Sequence, residues 1–331
     1  MTIKKIPVGV IGCGWAGTVH TQYYVSDPRV KVIGVYDKIP YRARKLSREL
    51  GVPLCLSLEE LLERRPFAVS IATDPQSHYP LALQCLEEGI HVFCEKPLTR
   101  DVLEAKALCE KAEQKGVLLG VNFNQRFSPL FKIVKNRLTQ SSEIRFVHYS
   151  FFQSVPQLRY HWVTESFIIY DAMSHQLDTL RFLVGEIERV FAQAASHDAR
   201  VWTEIAAIII FSNSCIGTVN TSFSGNVKGA DPFMRLELVT EKEHIVVKNL
   251  IDQLTIRPHR SRTASVIAPT VFDLRDYVGL MKLSLQAWVT ALLEGRQPPV
   301  TGWDGLVTTL ICSAIEKAVR EGQPQKVEFI K

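Results

Sequence analysis

No two cysteines in this chain stand in a C-x-x-C pair, and the seven that occur (Cys13, Cys55, Cys85, Cys94, Cys109, Cys215 and Cys312) are scattered. An odd, unpatterned set excludes a disulfide framework and a thiolate zinc site. It predicts free, buried thiols in a reducing cytoplasm. No cluster of ligand residues suggests a metal. No apolar run is long enough to span a membrane, and Met1-Thr2-Ile3-Lys4-Lys5 leads straight into the first strand without a signal-peptide pattern. Charge of one sign is not concentrated either. The formal net charge is +5, which gives no reason to expect nucleic acid. The densest basic stretch, Arg257-Pro258-His259-Arg260-Ser261-Arg262, reads as a solvated loop, although it could meet a phosphorylated ligand. Internal repeats, low-complexity tracts and an obvious linker are all missing.

What is present begins with Gly12-Cys13-Gly14-Trp15-Ala16-Gly17, directly after the apolar run Val8-Gly9-Val10-Ile11. A second apolar run, Val32-Ile33-Gly34-Val35-Tyr36, ends at Asp37, twenty residues past Gly17. Strand, glycine loop, helix, second strand and terminal acid in register form the pattern of a dinucleotide site. Gly12 permits the tight turn, Gly14 the approach of backbone to a pyrophosphate, and Gly17 the close packing of helix on strand. The following helix aims its N-terminal amides at the phosphates. Asp37 can accept hydrogen bonds from both ribose hydroxyls and would repel a 2′-phosphate, so NAD is expected over NADP. Lys38 and Arg42 lie near enough to soften that preference. The expected cofactor contacts here are Gly12, Cys13, Gly14, Trp15, Ala16, Gly17, Asp37 and Lys38.

A chain of 331 residues, 46% hydrophobic and 22% charged, is sized for two domains. From Val8 to Val121 strands and helices alternate: strands at Val8–Ile11, Val30–Tyr36, Phe67–Ala72, Ile90–Cys94 and Val117–Val121, with helices between them. Such alternation predicts a doubly wound parallel sheet, because each crossover must carry a helix. After about Asn122 the rhythm changes. A helix over Ser128–Thr139 leads to a strand at Ile144–Phe152, a helix spans about Asp171 to Val184, and strand-like runs dominate from Ile187 to Ile256. Two helices, near Arg275–Glu294 and Gly305–Glu321, close the chain. The expectation is α/β: an N-terminal Rossmann domain over residues 1–122, then an α+β domain over residues 123–331 with an open, mainly antiparallel sheet.

Ligands of open α/β sheets bind beyond the carboxyl ends of the strands. Two more strand ends are informative, Ala72-Thr73-Asp74-Pro75-Gln76-Ser77-His78 and Glu95-Lys96-Pro97. A lysine at that edge can donate to a substrate oxygen and stabilise developing alkoxide charge. Pro97 restricts Lys96 to an extended backbone. Further on, Asp171 and His175 stand four apart and share a helix face, with Asp178 three residues beyond on the same side. A histidine next to a carboxylate can act as general base. The preceding Arg159-Tyr160-His161-Trp162 suits either packing under a loop or recognition of sugar C–H faces and hydroxyls.

Together these residues resemble the Gfo/Idh/MocA oxidoreductases, the family of glucose–fructose oxidoreductase and inositol dehydrogenase. The matching features are Gly12–Gly17, Asp37, Thr73…His78, Glu95-Lys96-Pro97, Asn122-Phe123-Asn124-Gln125-Arg126-Phe127, Asp171…His175…Asp178 and Val300-Thr301-Gly302-Trp303-Asp304-Gly305. They span almost the whole chain. The resemblance implies that Lys96, Asp171 and His175 form the catalytic group. It implies that Glu95 touches the cofactor near the nicotinamide ribose, that Thr73, His78, Lys96 and Asn122 line the cofactor site, and that Arg126 lies near nicotinamide or substrate. The Lys96–Pro97 bond is similar to one that is often cis in relatives. Substrate contacts are expected from Lys96, Arg126, Arg159, Tyr160, His161, Trp162, Tyr170, Asp171 and His175, and the open sheet implies a homodimer or homotetramer.

Three departures stand out. Glu165-Ser166-Phe167-Ile168-Ile169-Tyr170 replaces a segment usually glycine-bearing, Met173 replaces a glycine, and Asp74-Pro75 replaces Pro-Asn. Bulk at these positions would narrow or reshape the pocket.

The resulting expectation is an NAD(P)-dependent dehydrogenase acting on a secondary alcohol of a sugar, cyclitol or related compound. Its rivals are an NAD-recycling glycoside-cleaving enzyme and a non-catalytic NAD-binding regulator.

Overall fold

The computed structural model describes residues 5–141, 143–154, 163–197, 200–224, 233–268 and 277–328. The chain divides into two compact units: residues 1–123 with 281–306, and residues 124–280 with 307–331.

The first unit is built on strands β1 (Ile6–Ile11), β2 (Val30–Tyr36), β3 (Ala68–Ile71), β4 (His91–Cys94) and β5 (Leu119–Val121). They pair in the order β2-β1-β3-β4-β5, all parallel. Helices α1 (Trp15–Ser26), α2 (Pro40–Leu50), α3 (Leu58–Glu63), α4 (His78–Glu87) and α5 (Val102–Lys115) lie between the strands in sequence. Local signals set their ends: Ser57 caps α3 through the Glu60 amide, and Asp101 caps α5 through the amides of Leu103 and Glu104. The strands are apolar nearly throughout, and Val8, Val10, Val69, Ile71 and Val92 are fully buried. Leu285, Trp288, Val289 and Leu292 of helix α8 (Tyr277–Glu294) join this core. Trp288 stacks on Phe93 at 5.3 Å between ring centroids. Each such buried side chain stabilises by about 1.5–3 kcal/mol. The strand order reverses between β1 and β3, so the crevice for a ligand opens beyond their carboxyl ends.

The second unit carries helix α6 (Pro129–Ser141), helix α7 (Ser174–Leu183) and a nine-stranded sheet. Its strands are β6 (Ile144–Phe152), β7 (Ile187–Ala195), β8 (Glu204–Phe211), β9 (Ile216–Ser222), β10 (Phe233–Thr240), β11 (Glu243–Lys248), β12 (Gln253–Pro258), β13 (Ser265–Ile267) and β14 (Gln325–Lys326). The order is β13-β12-β11-β10-β6-β9-β8-β7-β14, antiparallel except for the parallel pair β6–β9. Period-two alternation gives the sheet two unlike faces. Ile205, Ala207 and Ile209 of β8 and Val147 and Tyr149 of β6 point into the core, while Phe146, Ile208, Ile216 and Phe233 are exposed on the other face. Helix α9 (Gly302–Glu321) runs near the end of the chain.

One element departs from the sequence reading. The helix expected from Asp171 does not begin as an α-helix. Ile169–Met173 forms a π-turn, and α7 starts only at Ser174. The Ser174 amide reaches back to the Ile169 carbonyl, a five-residue step. No glycine or proline marks this point in the sequence. The turn follows from packing: Phe167, Ile168, Ile169, Ala172 and Met173 are all buried. The bulk that replaces the family's glycines therefore goes into the core, where Phe167 meets Phe223 with ring centroids 6.0 Å apart.

Candidate functional site

In the first unit the glycine loop has the shape its sequence demands. Gly12 sits at φ +94°, and a Cβ there would meet the Ala72 carbonyl oxygen at 2.4 Å. A Cβ on Gly17 would lie 1.8 Å from the Gly12 carbonyl oxygen, so helix and strand touch through backbone alone. Around Gly14, by contrast, a Cβ meets nothing within 4 Å. Helix α1 starts there with no side-chain cap and no acid in its first turn. Open space in front of uncapped amides fits a pyrophosphate. Trp15 is exposed beside this space.

Asp37, at the end of β2, is buried and held by two backbone amides. Its Oδ2 accepts from Cys13 N at 2.7 Å and its Oδ1 from Ile39 N at 2.8 Å. Each oxygen keeps a further lone pair for a ribose hydroxyl. Cys13 contributes its amide, not its thiol, which burial and then the Asp37 charge push up to about 12. Lys38 turns to Asp74 at 2.7 Å. Burial opposes ionisation of Asp74, but the Lys38 bond and charge outweigh it and hold that carboxyl below its ordinary value. The cation next to Asp37 is thus paired with a second carboxylate.

At the ends of β3 and β4 the side chains knit the loops together. The Thr73 hydroxyl accepts from Ser77 Oγ at 3.0 Å. His78 is buried, with Nδ1 2.8 Å from the Pro97 carbonyl and Nε2 3.3 Å from the Thr73 carbonyl. Burial, against the pull of those carbonyls, lowers its pKa. His78 therefore clamps the two loops from within. The Lys96–Pro97 peptide is cis, and Lys96 is half-buried.

Glu95 is the outlet of a buried polar chain that the sequence reading missed. Tyr24 Oη lies 2.7 Å from Ser70 Oγ, Ser70 Oγ 3.2 Å from His20 Nδ1, and His20 Nε2 3.1 Å from Glu95 Oε1. Asn122 Nδ2 donates to the same Glu95 oxygen at 2.7 Å. Burial alone would raise the Glu95 pKa. The bonds and charge of His20, the Asn122 bond and the Lys96 charge reverse that and bring it to about 2. The signal was present in α1, whose His20 and Tyr24 stand four apart and are both fully buried.

In the second unit the acid–histidine segment is assembled as follows. Asp171 lies in the π-turn and is half-buried, while His175, in the first turn of α7, is 4% exposed. Asp178, one turn beyond the histidine, is held by an arginine. Its buried carboxylate takes a two-pronged bond from Arg126, with Nε–Oδ2 2.8 Å and Nη2–Oδ1 2.6 Å. Arg126 is thereby fixed, with its guanidinium over the Phe182 ring at 5.6 Å. The Tyr170 hydroxyl donates to Glu316 Oε2 at 3.0 Å. Tyr277, at the start of α8, meets His175: Oη is 2.9 Å from Nε2, and the rings stand edge to face at 89°. No local sequence signal ties these two residues, which lie 102 positions apart. Arg159, Tyr160, His161 and Trp162 lie outside the described residues. Among the described residues no group of three or more His, Cys, Asp or Glu could hold a metal ion. No helix there is long and apolar enough to cross a membrane.

With this geometry in place, comparison with known proteins is informative. The family model described as "Oxidoreductase family, NAD-binding Rossmann fold" matches residues 6–123, and the Gfo/Idh/MocA C-terminal domain model matches residues 140–246. The inositol 2-dehydrogenase of Rubrobacter xylanophilus is 26% identical, over 99% of this chain and 95% of that protein. The scyllo-inositol 2-dehydrogenase (NAD(+)) of Bacillus subtilis is 26% identical, over 98% of this chain and 97% of its own length. Among solved structures, levoglucosan dehydrogenase in complex with NADH and levoglucosan superposes with a TM-score of 0.89 at 21% identity, covering 98% of this chain and 100% of that one. That last likeness is one of fold.

Proposed function

We propose, for a chain that belongs to the Gfo/Idh/MocA oxidoreductase family and is an NAD(P)-dependent oxidoreductase of CH–OH groups, that its cofactor is NAD and its substrate a sugar, cyclitol or sugar-derived secondary alcohol. The observation that carries the cofactor choice is Asp37, held by two amides at the mouth of the glycine crevice beside a lysine already paired with Asp74. The named activities of the inositol dehydrogenases support the substrate class.

Each residue has a part in this reading. His175 accepts the proton of the substrate hydroxyl, and Asp171 orients it. Lys96 stabilises the alkoxide as charge develops, a task an ammonium performs without a metal. Glu95, Thr73, Asn122 and the glycine loop hold the cofactor, and His78 supports the loops that do so. Arg126 and Tyr170, whose polar ends are held by Asp178 and Glu316, shape the substrate region. A nicotinamide held there would supply the acceptor for the hydride that leaves the substrate carbon. The exposed apolar face of the large sheet, with Phe146, Ile208, Ile216 and Phe233, suits a homodimer or homotetramer. The buried, unreactive thiols suit a cytoplasmic setting.

The test is absorbance in the reduced-nicotinamide band with NAD or NADP across inositols, sugars and sugar acids. Stoichiometric reduction of NAD with one polyol is the expected result. NAD binding without net reduction by any compound would overturn the reading in favour of cofactor recycling or a regulatory role.

A further inference from the structure

We propose that Tyr277 is the positioning residue of His175 and the group through which His175 Nε2 exchanges its proton; this rests on the reading of His175 as general base. The imidazole is 4% exposed and its Nδ1 is buried. Its other nitrogen, Nε2, lies 2.9 Å from Tyr277 Oη. Tyr277 is half-buried, so of the two side chains it is the one that reaches the surface.

The relay requires one tautomer. A phenol oxygen can donate or accept, and the direction is part of the proposal: Oη donates to Nε2, and the neutral ring carries its hydrogen on Nδ1. This is the form a base needs, with its lone pair already aimed along a hydrogen bond. The edge-to-face packing of the rings, with centroids 6.1 Å apart, holds that alignment. In the forward direction the substrate O–H bond breaks as a new O–H bond forms on Tyr277. The original Tyr277 O–H bond breaks as an N–H bond forms on His175. The tyrosine is regenerated, His175 becomes imidazolium, and the substrate is left as an alkoxide that loses hydride. No electrons change hands until that last step.

Three measurements test this. In the free protein, the 15N shifts of His175 should report the Nδ1–H tautomer, and Tyr277→Phe, which keeps the ring, should give a tautomer mixture. An Nε2–H tautomer in the unaltered protein overturns the proposal without any substrate being needed. With a polyol that the protein oxidises, Tyr277→Phe should lower kcat about 100-fold, with KM for polyol and NAD within about twofold. The solvent deuterium proton inventory should change from curved to linear. An unchanged kcat, or a linear inventory in the unaltered protein, overturns it. His175→Gln separates the two readings. If that variant keeps full kcat, the base assignment itself has failed; if it is inactive while Tyr277→Phe is normal, the relay alone has failed.

Discussion

Two buried histidines, one in each unit, have opposite surroundings. His20 is sealed: one ring nitrogen lies on Ser70, the other on Glu95, and the chain continues inward to Tyr24, all within the parallel sheet and its first helix. His175 is equally hidden, but its Nε2 leads outward to a half-exposed tyrosine. The contrast teaches that burial does not separate a structural histidine from one placed for chemistry; where the hydrogen-bond chain ends does. The His20 chain ends on a carboxylate held ionised, and its partners are fixed side chains that gain nothing by moving a proton. The His175 contact runs instead to Tyr277, a half-buried side chain, and under the proposed function that is where the proton is exchanged.

Four substitutions break or sharpen that contrast. The largest effect is expected from His175→Gln, which should cut kcat about 1000-fold while leaving NAD affinity and thermal midpoint near normal, measured by steady-state kinetics and calorimetry. His20→Leu should do the reverse. It strips the buried Glu95 carboxylate of a partner, so denaturant unfolding should show a loss of about 3 kcal/mol, with kcat falling far less than for His175→Gln.

Next is an effect of pH. The Glu95 pKa is depressed to about 2 in the folded protein against an ordinary 4.5, so its stabilisation is complete above pH 4.5 and fades as the pH falls toward 2. Glu95→Gln should therefore flatten the acid limb of the stability profile over that window, by on the order of 2–3 kcal/mol. If its acid limb matches that of the unaltered protein, the ionised-carboxylate account fails. The smallest effect is expected from Tyr24→Phe at the closed end of the chain, about 1 kcal/mol in urea unfolding with turnover unaltered.

The Rossmann half was legible because its rules are local. The spacing of Gly12, Gly14 and Gly17 after an apolar strand is itself the signal, and Asp37 follows from strand length. The nine-stranded sheet was legible from β-branched alternation, as in Ile205–Phe211, whose side chains point alternately in and out. The spacing of Asp171 and His175 was readable too, but the turn that holds them was not. A π-turn and an α-turn share the same composition, so nothing in the local sequence separates them, and Ile168, Ile169 and Met173 are buried around this one. For Asp178, spacing along a helix gives its face and not its partner, and Arg126 reaches it from 52 residues away. Tyr277 was invisible for the same reason. Only His20 and Tyr24 left a trace that a closer reading of α1 could have used, as two polar rings on the side that faces the sheet.

The π-turn has a consequence in the currency of ancestry. A helix that closes one bond over five residues holds one residue more than the regular helix on either side of it. Deleting one residue between Asp171 and His175 would remove the bulge, leave the flanking helix faces in place and change the spacing of the pair from four to three, a change of about 100° around the helix. Asp171 and His175 would then face different neighbours, with no catalytic group lost. The acid–histidine pair is therefore tied to a length as much as to a composition, and in this stretch a gap costs a descendant more than most substitutions.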